Sequence, residues 1–341
     1  MSRLSIGGVG RATVIFGALL AFPFVFGEHW VVNIGVFTLM YAALATAWNL
    51  LGGYAGYLSL GHAAFFGVGA YAIGVVFTHV GIGAGYRPFL VLPLVGLGVA
   101  VVSVPIAWVA LRVRAATFAI VTISLLFIVQ QLAFNLRGLT HGSQGLAIPV
   151  ARFPVDTFER PFYLAMLAIL ALAVFVCWYV RDSKLGLMLF AIRDDEDRVR
   201  GLGVQVTAAK VVAFALSVGI TAMAGGVWAY YLSFIYPQFA VDPLVTIGAV
   251  LMAFLGGKGT LWGPMLGAFI LVPTQQYLAY RLGASQLYLV GYAAVFLTIM
   301  LVLPRGILPS LRDRLDQRAA RRGAPPSVGT EVPGRAPQVL A

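Results

Sequence analysis

Residues 89–111 read FLVLPLVGLGVAVVSVPIAWVAL, twenty-three positions without Asp, Glu, Lys or Arg. Bilayer hydrocarbon is ~30 Å thick, and a helix rising ~1.5 Å per residue needs about 20 mostly apolar residues to cross it. This run therefore predicts a membrane-spanning helix, and the chain on either side repeats it. Runs of the same kind fill 12–27, 31–51, 57–79, 116–134, 162–180, 211–233, 261–280 and 286–304. A tenth, 243–257, has fifteen residues that reach only about 22 Å as helix, so it either crosses or re-enters. None of the ten carries a charged side chain. The whole composition agrees: 60% hydrophobic, 10% charged and a mean hydropathy of +0.92. Soluble domains run nearer ~45–50% apolar and ~25% charged, so a water-soluble enzyme is excluded. The expected fold class is an all-α polytopic integral membrane protein of about ten transmembrane helices, with membrane lipid as its surroundings.

The formal charge of +11 first suggests an acidic partner. Its location argues otherwise. With ten crossings and a cytoplasmic N-terminus, 18 of the 23 basic residues fall inside; if 243–257 does not cross, 11 fall inside and 12 outside. The positive-inside rule favours ten crossings with both termini cytoplasmic. No aromatic-interleaved basic stripe remains for nucleic acid, so none is expected as a partner. Residues 1–27 lack a small-x-small site after their apolar core and read as an anchor helix. Residues 1–304 then form the membrane domain. The segment 305–341 is a basic tail without fixed structure, apart from one surface helix over 309–322.

Catalytic and metal signatures are missing. HExxH and GxSxG do not occur, and GGKGT at 256–260 lacks the upstream Gly and the Ser/Thr of a phosphate-binding loop. Asp194, Asp195, Glu196 and Asp197 form the one acidic cluster, with no second cluster to face it across a metal-bound diphosphate, as a membrane transferase would need. The lone Cys177 excludes an intrachain disulfide. No cofactor, metal or catalytic residue is expected. Proton coupling usually needs an intramembrane carboxylate, which the spans lack; sodium coupling through broken-helix carbonyls stays open.

Three strings stand out. Residues 49–72, NLLGGYAGYLSLGHAAFFGVGAYA, are dense in glycine. Small residues let membrane helices approach closely, and glycine also lets a helix unwind beside a solute path. Asn49, Gly52, Gly53, Gly56, Ser59, Gly61, His62 and Gly67 are therefore candidates for helix packing or for the path. Residues 181–210, RDSKLGLMLFAIRDDEDRVRGLGVQVTAAK, predict a short amphipathic cytoplasmic helix ended by glycine, a docking surface more than a connector. Residues 253–271, AFLGGKGTLWGPMLGAFIL, echo LLGGYAGYLSLG at 50–61, both placing Leu-Gly-Gly at the cytoplasmic end of a span; Gly256 and Gly257 join the candidates.

At these strings the chain resembles the permease subunits of branched-chain amino-acid ABC importers, the larger M-type of two homologous permeases. The resemblance runs through about 31–304. It is carried by NLLGGYAGYLSLGHAAFFGVGAY, by AIRDDEDRVRGLGV with Lys210, Ser217 and the AGG of 224–226 after it, and by GGKGTLWGPMLGA at 256–268. It implies a second homologous permease, two cytoplasmic ATPase subunits and a periplasmic or extracellular solute-binding protein as partners. It also maps a coupling helix onto 188–203. Arg193, Asp194, Asp195 and Glu196 would contact the ATPase, and Gly201 and Gly203 would shape the turn. The sequence departs from many relatives at Arg198–Arg200. The implied cargo is a branched-chain amino acid, with urea and aromatic acids as the alternatives within the family.

Overall fold

Small side chains decide how the helices meet. The computed structural model describes residues 6–282, 293–294, 297–298, 301 and 306–312. Its helices run α1 (Ile6–Val25), α2 (His29–Gly52), α3 (His62–Val75, prolonged by a π turn, Val76–Val80), α4 (Arg87–Ala110), α5 (Ala115–Asn135) and α6 (Arg137–Thr140). Then follow α7 (Glu159–Asp182), α8 (Lys184–Asp194), α9 (Glu196–Gly201), α10 (Val206–Leu232), α11 (Pro237–Ala240), α12 (Pro243–Gly256) and α13 (Gly263–Leu282).

Helix α10 is the axis, packed against α2, α3, α4 and α7. Its run of Ala213, Ser217, Gly219, Ala222, Ala224, Gly225 and Gly226 brings neighbouring backbones into contact. A Cβ on Gly225 would collide with the Phe66 carbonyl, and one on Gly69 with the Ala222 carbonyl. Against α4 the glycines face each other: a Cβ on either Gly96 or Gly219 would sit 2.9 Å from the other's carbonyl oxygen. Lipid tails are as apolar as leucine, so this close packing, and not water exclusion, holds the crossings. On α4 and α5 the large residues Leu90, Leu94, Leu97, Val101, Ile120 and Ile128 point outward.

Among the described residues, seven helical stretches are long and apolar enough to cross a membrane: His29–Gly52, His62–Val80, Arg87–Ala110, Ala115–Asn135, Val155–Asp182, Val206–Leu232 and Pro237–Gly256. Ten were expected, and the differences have causes. The apolar part of α1 is only Ala12–Val25. Helix α13 has the length, but Thr274, Gln275, Gln276 and Arg281 dilute its apolar character. The expected span 286–304 and most of the tail 305–341 lie outside the described residues; of the expected surface helix, 309–312 are described and helical.

Two boundaries are corrected. The run 57–79 does not begin as helix: residues 53–61 are a non-helical connection whose backbone is satisfied by other elements. The Ser59 carbonyl accepts from Trp48 Nε1 at 2.9 Å, and Leu60 N–H donates to Thr122 Oγ1 at 3.0 Å. The short run 243–257 becomes α12, capped by Asp242, which accepts from Leu244 N–H at 2.8 Å. With α11 it forms a twenty-residue stretch, Pro237–Gly256, long enough to cross.

The connections gather at two ends. At one, α2 meets α7 through His29–Glu159, Trp30 stacks on Tyr280, and Gly85 N–H donates to Tyr230. There β1 (Leu146–Ala147) pairs antiparallel with β2 (Phe234–Ile235). At the other end lie residues 53–57, 112–115, the helices α8 and α9, and 257–260.

Candidate functional site

The two Leu-Gly-Gly strings meet in space. Leu51–Gly53 closes α2 and Leu255–Gly257 closes α12, and Asn49 joins the two ends. Its Nδ2 donates to the Thr260 carbonyl at 2.9 Å, and its Oδ1 accepts from Gly259 N–H at 2.8 Å. A single carboxamide thus satisfies a donor and an acceptor of a turn about 210 residues further along the chain. Arg193 closes the same junction from α8: its Nη1 donates to the Gly53 carbonyl at 3.1 Å.

Deeper in the bundle the non-helical connection carries a buried polar chain. His62 opens α3, with Nδ1 2.9 Å from Ser59 Oγ and Nε2 2.7 Å from Ser217 Oγ. Ser217 donates its own hydroxyl to the Ala47 carbonyl at 2.6 Å. The Ser217 oxygen is therefore left as acceptor, which assigns the proton to Nε2 and makes Nδ1 the acceptor from Ser59. The ring is buried and edge-on to Phe214. Ala63 N–H, exposed by the helix start, donates to Thr246 Oγ1 at 2.7 Å. Ser59, His62 and Ser217 thus tie the connection to α2 and α10.

Most candidate glycines are close-approach residues. A Cβ on Gly61 would lie 2.6 Å from the Thr122 carbonyl oxygen, and one on Gly67 2.8 Å from that of Ala240. On Gly256 it would collide with the Gly263 carbonyl, and on Gly257 it would lie 2.5 Å from Pro309. Gly52 and Gly53 lie under Trp48 and Asn49. Gly56 needs its conformation as well, with φ at +75° and Arg193 Cγ 2.8 Å from where a Cβ would sit.

The predicted amphipathic helix is present but divided. Ser183 caps α8, Asp195 interrupts the helix and caps α9 by accepting from Arg198 N–H at 3.1 Å, and Leu189, Ile192 and Val199 are buried. Gly201 ends α9 with open space around it, while Gly203, at φ +80°, makes the left-handed turn toward α10. The charged group does not face one way. Asp194, Asp197 and Arg198 are solvent-exposed, and the half-buried Asp195 pairs with Arg198 at 2.8 Å. Arg193 and Glu196 turn inward and bond to this chain, each keeping part of its side chain exposed.

Glu196 faces Lys210, which sits in the second turn of α10 with a side chain only 1% exposed. Lys210 Nζ lies 3.0 Å from Glu196 Oε1 and 2.8 Å from the Tyr57 hydroxyl, and 4.1 Å above the Tyr57 ring. The Tyr57 hydroxyl also donates to Glu196 Oε2, and Arg200 reaches Glu196 Oε1 at 2.7 Å. Burial raises the Glu196 pKa, but the Tyr57 and Lys210 bonds and the Lys210 and Arg200 charges outweigh it and hold the carboxyl below its ordinary value. Burial first, then the bond to Glu196, pushes the Tyr57 phenol up. Lys210 and Tyr57 belong to the strings that carry the family resemblance, yet they were not among the candidate site residues. A lysine just before an apolar run reads as a boundary marker, and its two partners are distant in sequence.

Among the described residues no three His, Cys, Asp or Glu side chains converge as a metal would require. The site offers neutral hydrogen-bonding groups in the bundle and a charged cluster at one end.

The family described as branched-chain amino acid transport system, permease component, matches residues 30–304. The high-affinity branched-chain amino acid transport system permease protein LivM of Salmonella typhimurium is 28% identical over 331 residues, covering 89% of this chain and 75% of that protein. LivM of Escherichia coli is 28% identical over 325 residues, covering 87% and 74%. The autoinducer 2 import system permease protein LsrC of Salmonella paratyphi B is 32% identical over 121 residues, 33% of this chain and 35% of that protein. No solved structure matches the chain significantly.

Proposed function

The chain belongs to the branched-chain amino acid transport system permease family, whose members are membrane permease subunits of ABC transporters and multi-pass proteins of the inner membrane, and on that premise we propose that it carries branched-chain amino acids inward. The observation that supports this cargo is the likeness to LivM along most of the chain, set against a likeness to LsrC confined to about a third of it. The buried polar side chains Asn49, Ser59, His62 and Ser217 are neutral, which suits a zwitterion in a path opened between their helices, where helix ends and backbone groups can meet its charges.

In this reading the domain 1–304 makes ten crossings with both termini cytoplasmic, and 305–341 is a cytoplasmic tail. The end that holds α8, α9 and residues 257–260 faces the cytoplasm. A homologous second permease lies alongside, two ATPase subunits engage the loop 181–210, and a binding protein delivers solute at the opposite end. Asp194, Asp195 and Arg198 meet the ATPase. Arg193 and Glu196 transmit its movement inward, and Gly201 and Gly203 give the loop its turn. Asn49, Gly52, Gly53, Gly56, Ser59, Gly61, His62, Gly67, Gly256 and Gly257 hold the path's helices together or line it. ATP-driven closure of the ATPases rocks the two permeases between outward and inward openings. The chain itself does no covalent chemistry.

Cargo is tested by competition. With the complex supplied with its own binding protein, unlabelled leucine, isoleucine or valine in hundredfold excess is expected to suppress labelled leucine uptake, while urea, benzoate and autoinducer 2 leave it unchanged. Suppression by one of the latter three alone would assign a different solute.

A further inference from the structure

A charge taken out of water at the end of a helix bundle is expensive unless it is paired. Lys210 is such a charge, 1% exposed and paired at the end of the bundle, while the helix crossings are made by small residues. Its ammonium ties three separate elements: α9 through Glu196, α10 through its own backbone, and the 53–61 connection through Tyr57. Beyond the packing of the buried Val199, the other links of α9 are poor conveyors of motion. Arg198–Asp195 and Arg200–Asp197 stay within the α9 cap and helix, Arg114–Asp197 is solvent-exposed at 3.8 Å, and the covalent route to α10 passes through Gly203 with nothing packed on it. From Tyr57 a chain of packed rings continues inward. Phe118 lies 5.6 Å from Tyr57, Phe214 6.1 Å from Phe118, and His62 5.9 Å from Phe214.

We propose that the Glu196–Lys210–Tyr57 cluster is the strut that carries displacement of α8 and α9 to α10 and, through Phe118 and Phe214, to the buried Ser59–His62–Ser217 chain. Lys210, Glu196 and Tyr57 are then positioning residues of the transport cycle. The proposal rests on the reading of α8–α9 as the segment an ATPase moves. A buried ion pair is suited to the task because its two ends cannot separate without leaving a charge uncompensated, so it pulls as well as pushes.

The test uses the whole complex in proteoliposomes, reading solute taken up and ATP hydrolysed on the same vesicles. Lys210→Met and Glu196→Gln are expected to lower solute moved per ATP about tenfold while the ATPases still copurify and still hydrolyse. Lys210→Arg and the exchanged pair Lys210→Glu with Glu196→Lys are expected to recover most of the ratio. An unchanged ratio in Lys210→Met overturns the strut. So does loss of uptake together with loss of bound ATPase, which would make the cluster merely structural. Should Lys210→Met fail to accumulate, Tyr57→Phe, which keeps the ring and removes the hydroxyl, decides: a fall of about threefold supports the strut and no fall overturns it. Wild-type vesicles that fail to link uptake to hydrolysis would refute the ABC reading, a result distinct from any variant's.

Discussion

Gly225→Leu is expected to abolish the folded permease. The α3–α10 crossing is a contact of backbones: a Cβ on Gly225 would run into the Phe66 carbonyl, and the reciprocal Gly69 faces the Ala222 carbonyl within the same crossing. No flexible side chain can yield, so the helices must separate. Overpacking a core costs about 1–3 kcal/mol when side chains can rearrange, and backbone against backbone exceeds that range. Separation of α3 from α10 would also part His62 from Ser217, leaving buried polar groups at about 1–3 kcal/mol each without partners. The expected outcome is little or no monodisperse protein on size exclusion in detergent. Gly98→Leu, on the open face of α4 with nothing within 4 Å, is the control and is expected to change stability by under about 0.5 kcal/mol. Normal recovery of Gly225→Leu would mean that the crossing is looser than described.

Gly56→Leu should leave the protein in the membrane and stop it working. A leucine at φ +75° carries about 1–3 kcal/mol of backbone strain, and its Cβ would fall 2.8 Å from Arg193 Cγ. The connection can shift because it is not helical, but Arg193 must then leave the Gly53 carbonyl, and Tyr57 next in the chain moves with it. Uptake is expected to fall at least about tenfold with surface amount preserved. Retained uptake would show that neither Arg193 nor the 53–61 connection takes part in the cycle.

Much of this fold was legible because lipid leaves few options: spanning segments must be apolar and helical, and residues 31–51, 89–111 and 211–233 announce themselves. The break at 53–61 was not, although its glycines hinted at it. Tyr57, Leu58 and Leu60 continue the apolar run, and what satisfies the unwound backbone is Trp48 and Thr122, brought in by folding. Helix α13 keeps the length expected of a span, while its two glutamines and Arg281 lower its apolar character. The mixed charges of 193–200 marked a surface loop correctly in place but not in facing. Arg193 turns inward because a carbonyl of α2 is within its reach, and Glu196 because Lys210 and Tyr57 await it. The echo between 50–61 and 253–260 could be read as a repeat; that Asn49 staples the two copies together is a property of three dimensions.

The central claim is that this chain is the passive, ATPase-driven path for a branched-chain amino acid. Its most direct measurement is labelled leucine uptake into proteoliposomes holding this chain, its partner permease and their ATPases, with binding protein and leucine outside. ATP trapped within the vesicles is expected to drive accumulation that ends when ATP is replaced by a non-hydrolysable analogue and is indifferent to proton and sodium gradients. Accumulation by this chain without the ATPases, driven by either ion gradient, would contradict it.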